Sequence, residues 1–123
     1  MTKKLNSAVK TALGALALFL MFSTTAVAQD KIHEGAKMVA NHMKTQLSLN
    51  DSQYAKVLEV NKDYIKKSKG NNGATNVEKA KKQKGYDEDR DKKLKSVLSD
   101  SQYKIYIANR ASNAKKYREA LGK

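Results

Sequence analysis

A six-residue phrase occurs twice in this chain, and its chemistry fixes where two helices begin. Leu49-Asn50-Asp51-Ser52-Gln53-Tyr54 returns at a constant offset as Leu98-Ser99-Asp100-Ser101-Gln102-Tyr103. Each copy supplies an N-cap residue, Asn50 or Ser99, whose side-chain oxygen accepts from a first-turn N–H. Three positions later each supplies a glutamine able to reach back to the cap's own N–H, which is a capping box. Leu49 and Leu98 precede the caps, where an apolar side chain staples onto the fourth helical residue. This structural account is sufficient for the repeat, and it suggests a duplicated helical hairpin.

The apolar spacing around the two copies is helical as well. Ile32, Ala36, Val39, Met43 and Leu47 recur at intervals of three and four, predicting a first helix from Asp30 to about Leu47. Ser48 to Asn50 turns the chain into a second helix with Tyr54, Val57, Leu58, Tyr64 and Ile65 on one face. Lys66, Lys67 and Lys69 suit the negative end of its dipole, and Gly70 suits the position after its last turn. The following GNNGA stretch reads as a flexible loop. Thr75 and Glu78 predict a third capping box and a third helix. Its stripe starts at Val77 and Ala80, is interrupted by Lys84, Asp87 and Asp91, and resumes at Leu94, Val97 and Leu98. Gly85 weakens the middle by up to about 1 kcal/mol relative to alanine and marks an expected bend. Glu88 with Lys92, Asp89 with Lys93, and Asp91 with Lys95 are acid-before-base pairs that support the second half.

A fourth helix is expected from the second phrase to about Ala120, with Tyr103, Tyr106, Ile107, Ala111, Ala114, Tyr117 and Leu121 along one side. Tyr103 to Ile107 also alternates as a strand would, but no second β-prone run is available to pair with it, and the chain has no proline. The tyrosines sit at helical spacing, as core and rim residues do. The expected fold is all-α, with four helices.

Ahead of these helices stands a segment with the parts of an export signal. Lys3, Lys4 and Lys10 precede an apolar run, ALGALALFLMF, and Ala26-Val27-Ala28 matches the small-x-small cleavage pattern. Cleavage expected after Ala28 would leave an exported domain of residues 29–123. The apolar run is shorter than the ~20 residues of a spanning helix, so no stable membrane anchor is expected after cleavage; an uncleaved anchor is the alternative. Removing the three signal lysines lowers the formal charge from +13 to +10. That surplus implies acidic partners such as proteins, lipopolysaccharide or lipid headgroups. With no cysteine there is no disulfide, thiolate metal site or thiol redox chemistry. So small a domain is short of core, a shortage that dimerisation relieves.

Motifs for catalysis are missing. There is no Ser/His/Asp arrangement and no HExxH, and GNNG lacks the lysine and preceding strand of a phosphate-binding loop. The chain reads as a non-enzyme without a cofactor. His33 and His42, nine residues apart, point to opposite sides of one helix, so they cannot share an intramolecular metal. They read as surface residues, with no metal assigned; a site across a dimer, with Asp30 or Glu34 as added ligand, is the other possibility. Lys66, Lys67 and Lys69, with Lys79, Lys81, Lys82 and Lys84, form two basic runs. Such runs are commonly solvated helix faces, and the functional reading is an electrostatic footprint for acidic segments of unfolded proteins. Nucleic acid is not the expected partner of an exported chain.

The twin phrases, with their leading leucines (Leu49, Leu98), caps (Asn50, Ser99) and glutamines (Gln53, Gln102), resemble the LTxxQ-motif family of periplasmic stress proteins, the Spy/CpxP type. The segment Asp87 to Gln102 is similar to the charged helix leading into the second motif of that family. Asn50 and Ser99 replace the family's threonine, and both cap helices as well as threonine does. The resemblance implies a bent four-helix protomer, a hairpin pair joined to a second copy in a thin curved homodimer. Its basic concave face would hold unfolded clients without ATP. The resemblance also admits a regulatory module docking on an envelope stress sensor, or a metal-responsive periplasmic protein.

Overall fold

A computed structural model describes residues 26–123. The expected export signal lies outside the described residues apart from its last three positions, which the first helix includes. Five helices follow one another: α1 Ala26–Leu47, α2 Asp51–Lys69, α3 Asn76–Val97, α4 Asp100–Ala108 and α5 Arg110–Ala120, with no strand among the described residues. The chain divides after Lys31, and the core and candidate site belong to residues 32–123.

The repeated phrase starts α2 and α4 as expected. Asn50 Oδ1 accepts from the Gln53 N–H at 2.8 Å while Gln53 Oε1 accepts from the Asn50 N–H at 3.2 Å. Ser99 and Gln102 repeat the exchange at 3.1 and 2.9 Å. The third box is shifted. Thr75 caps the Glu78 N–H at 3.1 Å, but Glu78 reaches past the cap to the N–H of Ala74 at 2.9 Å.

The expected fourth helix is two helices. Asn109, at φ −104° and ψ 25°, turns its Nδ2 back onto the Ile105 carbonyl at 2.8 Å, sharing the acceptor used by its own backbone N–H. Asparagine competes with helical backbone in this way, and the helix is broken there. The helix α3 is continuous through Gly85.

Helix pairing follows from the contacts. Lys67 meets Asp89 and Asp63 meets Lys93, so α2 and α3 run antiparallel across the loop at residues 70–75. Asn41 meets Tyr54 and Met43 meets Asn61, placing α2 against α1 beyond the turn at Ser48. The last helices lie back along α1: Leu47 meets Gln102 and Met43 meets Tyr117. A Cβ on Gly35 would stand 3.1 Å from the Cβ of Ala120, so this residue permits the approach of α5.

The core holds Ala36, Val39, Ala40, Met43 and Leu47 of α1 with Val57, Tyr64, Ile65, Leu94, Tyr106 and Tyr117, and Leu49 and Leu98 close it at the two helix starts. The expected stripes of α1 and α2 are therefore on the inside. The stripe of α3 is not continuous: Val77 is 66% exposed and Ala80 is also exposed, since no residue from Asn76 to Lys82 is buried. In the last helices Ile107 and Ala111 face outward, and Asn113 is buried instead.

Candidate functional site

The two motif glutamines meet. Gln53 Nε2 donates to Gln102 Oε1 at 2.7 Å and Gln102 Nε2 donates to Gln53 Oε1 at 3.1 Å. The second donor of each amide reaches a carbonyl at a helix end: Gln53 to Val97 of α3 at 3.3 Å, Gln102 to Leu47 of α1 at 3.2 Å. Each glutamine oxygen also accepts from its own cap N–H, so both amides are fully used. Only this orientation works, because a flipped amide would set its oxygen against a helix-end carbonyl. Four helix ends are thereby tied at one end of the bundle by four motif residues, Asn50, Gln53, Ser99 and Gln102. One asymmetry separates the two turns: Ser48 is left-handed, at φ 53°, and the Leu49 N–H reaches back to the Lys44 carbonyl at 3.2 Å.

In the middle of the bundle sits a polar cluster that stripe reasoning missed. Arg90 is 9% exposed, and its guanidinium lies 4.5 Å from the ring centroids of both Tyr64 and Tyr117. Those rings meet edge-on at 4.8 Å. Asp91 holds Arg90 at 3.1 Å through one oxygen, which also accepts from the Tyr106 hydroxyl at 2.7 Å, and holds Arg110 at 3.1 Å through the other. The Tyr64 hydroxyl donates to Asp87 at 2.6 Å and the Tyr117 hydroxyl to Asn61 at 2.6 Å. Burial, reinforced by the hydrogen bond to Asp87, pushes the Tyr64 phenol up to about 12. Burial likewise raises Tyr106 and Tyr117 well above the ordinary phenol range. Asp91 interrupts the apolar stripe because it faces inward onto a buried cation, and Asp87, half-exposed, stands 3.6 Å from the same guanidinium. Asp91 therefore pairs with arginines and not with Lys95, while the expected Asp89–Lys93 pair forms at 3.0 Å.

The candidate client-binding lysines flank the loop, at the end of the bundle opposite the glutamines. Lys67 is engaged, at 3.1 Å from Asp63 and 3.5 Å from Asp89; Lys93 bridges the same two carboxylates at 3.1 and 3.0 Å. The hydrogen bond from Lys93 holds the Asp89 carboxyl below its ordinary range. Lys66, Lys69, Lys79, Lys81, Lys82 and Lys84 are exposed and form no ion pair among the described residues. Lys69 and Lys79 come together with Lys123 around an open cleft of about 500 Å³, where Asn71 Nδ2 donates to the Lys79 carbonyl at 2.9 Å. A second cavity of about 360 Å³ shares Gln83, Leu121 and Lys123 with that cleft and reaches in to Tyr64, Arg90 and Tyr117. His33 is exposed, and His42 Nε2 stands 3.4 Å from the Ser112 hydroxyl. No group of three or more His, Cys, Asp or Glu residues fit to hold a metal occurs among the described residues.

A family model described as a domain of unknown function, DUF4890, matches residues 24–106, spanning both phrases and running from α1 to all but the last two residues of α4. No curated protein and no solved structure matches the chain.

Proposed function

The chain belongs to the DUF4890 family, and for this member we propose an exported, ATP-independent chaperone that holds unfolded envelope proteins on a basic surface. The observation that supports it most is the lysine-rich start of α3. Lys79, Lys81 and Lys82 lie in a stretch of seven residues none of which is buried, and with Lys66, Lys69 and Lys84 they carry charge that no internal acid neutralises among the described residues. The internal acids Asp63, Asp87, Asp89 and Asp91 are spent on cations of the bundle itself. Six of the unpaired ammonium groups therefore stand on the two helix segments that flank one loop. Ammonium groups held in this way attract acidic segments over roughly a Debye length, ~8–10 Å, at physiological salt. Exposed apolar side chains such as Val77 add short-range contacts without specificity. Contacts that weak suit a holdase, since a client folds while attached only if its ordering is not opposed by tight binding.

Membership of the wider LTxxQ group, with its hairpin pairs joined in a thin curved homodimer, is part of the same proposal, as is a periplasmic location. The test is light scattering from a chemically unfolded substrate diluted at low salt. Protection is expected at modest molar excess, weakened by added salt and by replacing Lys79, Lys81, Lys82 and Lys84 together with glutamine. Absence of protection at any excess would overturn the reading.

A further inference from the structure

We infer that the cavity between α2, α3 and α5 is a binding site for a monocarboxylic acid with a compact apolar body, of the size of an arylpropionate or a medium-chain fatty acid. Its volume, about 360 Å³, falls in the range of small-ligand sites. The floor is the nearly buried rings of Tyr64 and Tyr117, and the apolar wall is Ala114 and Leu121. Three further cations line it besides Arg90: Arg110, Arg118 and Lys123.

The charges divide in a way that points to the ligand. Arg90 and Arg110 are balanced by Asp91, one on each oxygen at 3.1 Å, and Asp87 lies a further 3.6 Å from Arg90. Arg118 and Lys123 are exposed and have no ion pair among the described residues, so the opening of the cavity is where positive charge is unsatisfied. An anion at the mouth would take these two cations, while the body of the ligand fills the space over the rings. A single negative charge fits better than two, because Asp87 also lines the cavity and would repel a dianion. Arg90 is fixed by its two tyrosine neighbours and by Asp91, so the floor is preorganised and little ordering cost attaches to binding. None of the seven lysines of the proposed client surface lines this cavity, and the inference stands independently of the chaperone reading.

The test is calorimetric titration of the protein with 3-phenylpropionate and with octanoate, set against 3-phenylpropionamide and inorganic phosphate. The chain has no tryptophan, so tyrosine emission gives a second readout of events at Tyr64 and Tyr117. One or both acids should bind, the stronger of the two distinguishing an aryl from an alkyl ligand, and the neutral amide should not. Arg118→Gln with Lys123→Gln, both at exposed positions without ion pairs, should weaken binding about tenfold with the circular dichroism unchanged. Ala114→Leu, which fills the wall, should weaken it as well. Absence of binding by either acid at millimolar concentration, equal binding of the amide, equal binding by the double variant, or competition by phosphate as strong as by the acids would each overturn the assignment.

Discussion

Gln53 and Gln102 hold each other by two amide hydrogen bonds, of 2.7 and 3.1 Å, across the end of the bundle where α2 and α4 begin. A capping box accepts glutamate at its third position as readily as glutamine. The pairing does not, because both residues must donate. Gln53→Glu or Gln102→Glu keeps each box and removes two donors, leaving a helix-end carbonyl without its partner. We expect a loss of about 1–3 kcal/mol for each single variant. In a double-mutant cycle read by urea denaturation, a coupling of at least about 0.5 kcal/mol should appear. Strict additivity would mean that the two amides do not interact.

Asp91→Asn should be among the most destabilising single changes in the chain. The carboxylate is 15% exposed and serves two arginines and a tyrosine hydroxyl, so its loss leaves Arg90 buried and short of charge. The expected cost is about 3 kcal/mol. Asp89→Asn weakens two ion pairs of a side chain that is 43% exposed and should cost less than about 1 kcal/mol. Equal midpoints for the two variants in chemical denaturation would contradict this ranking.

Two glycines should respond with opposite sign. A Cβ at Gly85 would meet nothing within 4 Å, so Gly85→Ala removes a helix-weakening residue and should raise stability by up to about 1 kcal/mol. A Cβ at Gly73 would stand 2.7 Å from the backbone nitrogen of Lys79. Gly73→Ala should then displace the loop from the first turn of α3, at a cost of about 1–3 kcal/mol. Thermal unfolding of both variants distinguishes them.

Stability should fall at high pH. Burial raises the Tyr64 phenol to about 12, and those of Tyr106 and Tyr117 move in the same direction. A group that holds its proton more tightly when folded contributes fully below its unfolded pKa, near 10 for tyrosine. Above that pH the unfolded chain releases protons that the native state retains, so stability is lost between about pH 10 and pH 12. Absorbance at ~295 nm should show the buried tyrosines ionising together with the loss of helical circular dichroism. Their ionisation at pH 10 without unfolding would contradict the burial described.

Local chemistry carried most of the fold into view from sequence. The capping oxygens of Asn50 and Ser99, the apolar spacing of α1 and the lysines before Gly70 each act within one or two turns, and each is where the periodicity puts it. What depended on two distant segments was not legible. Nothing in the spacing of Gln53 and Gln102 says that their helix starts stand side by side. Arg90 was hidden for a related reason: Asp87 and Asp91 on an apolar stripe look like a face turning outward, whereas Asp91 turns inward to a buried guanidinium that Asp87 meets from the rim. Asn109 failed the reading locally, because its side chain takes a carbonyl that the helix would otherwise use alone.

The first seven residues of α3 have their own consequence for how the molecule comes apart. No burial holds Asn76 to Lys82 in place, and their fixed side-chain supports are the Thr75 cap, the Glu78 carboxylate on the Ala74 N–H and the Asn71 amide on the Lys79 carbonyl. A segment anchored so lightly opens far more often than the rest of the domain unfolds. Its amides should be the first in α3 to exchange with deuterium, and trypsin should nick the native protein there, while Leu94, deep in the bundle, stays closed until the whole domain yields.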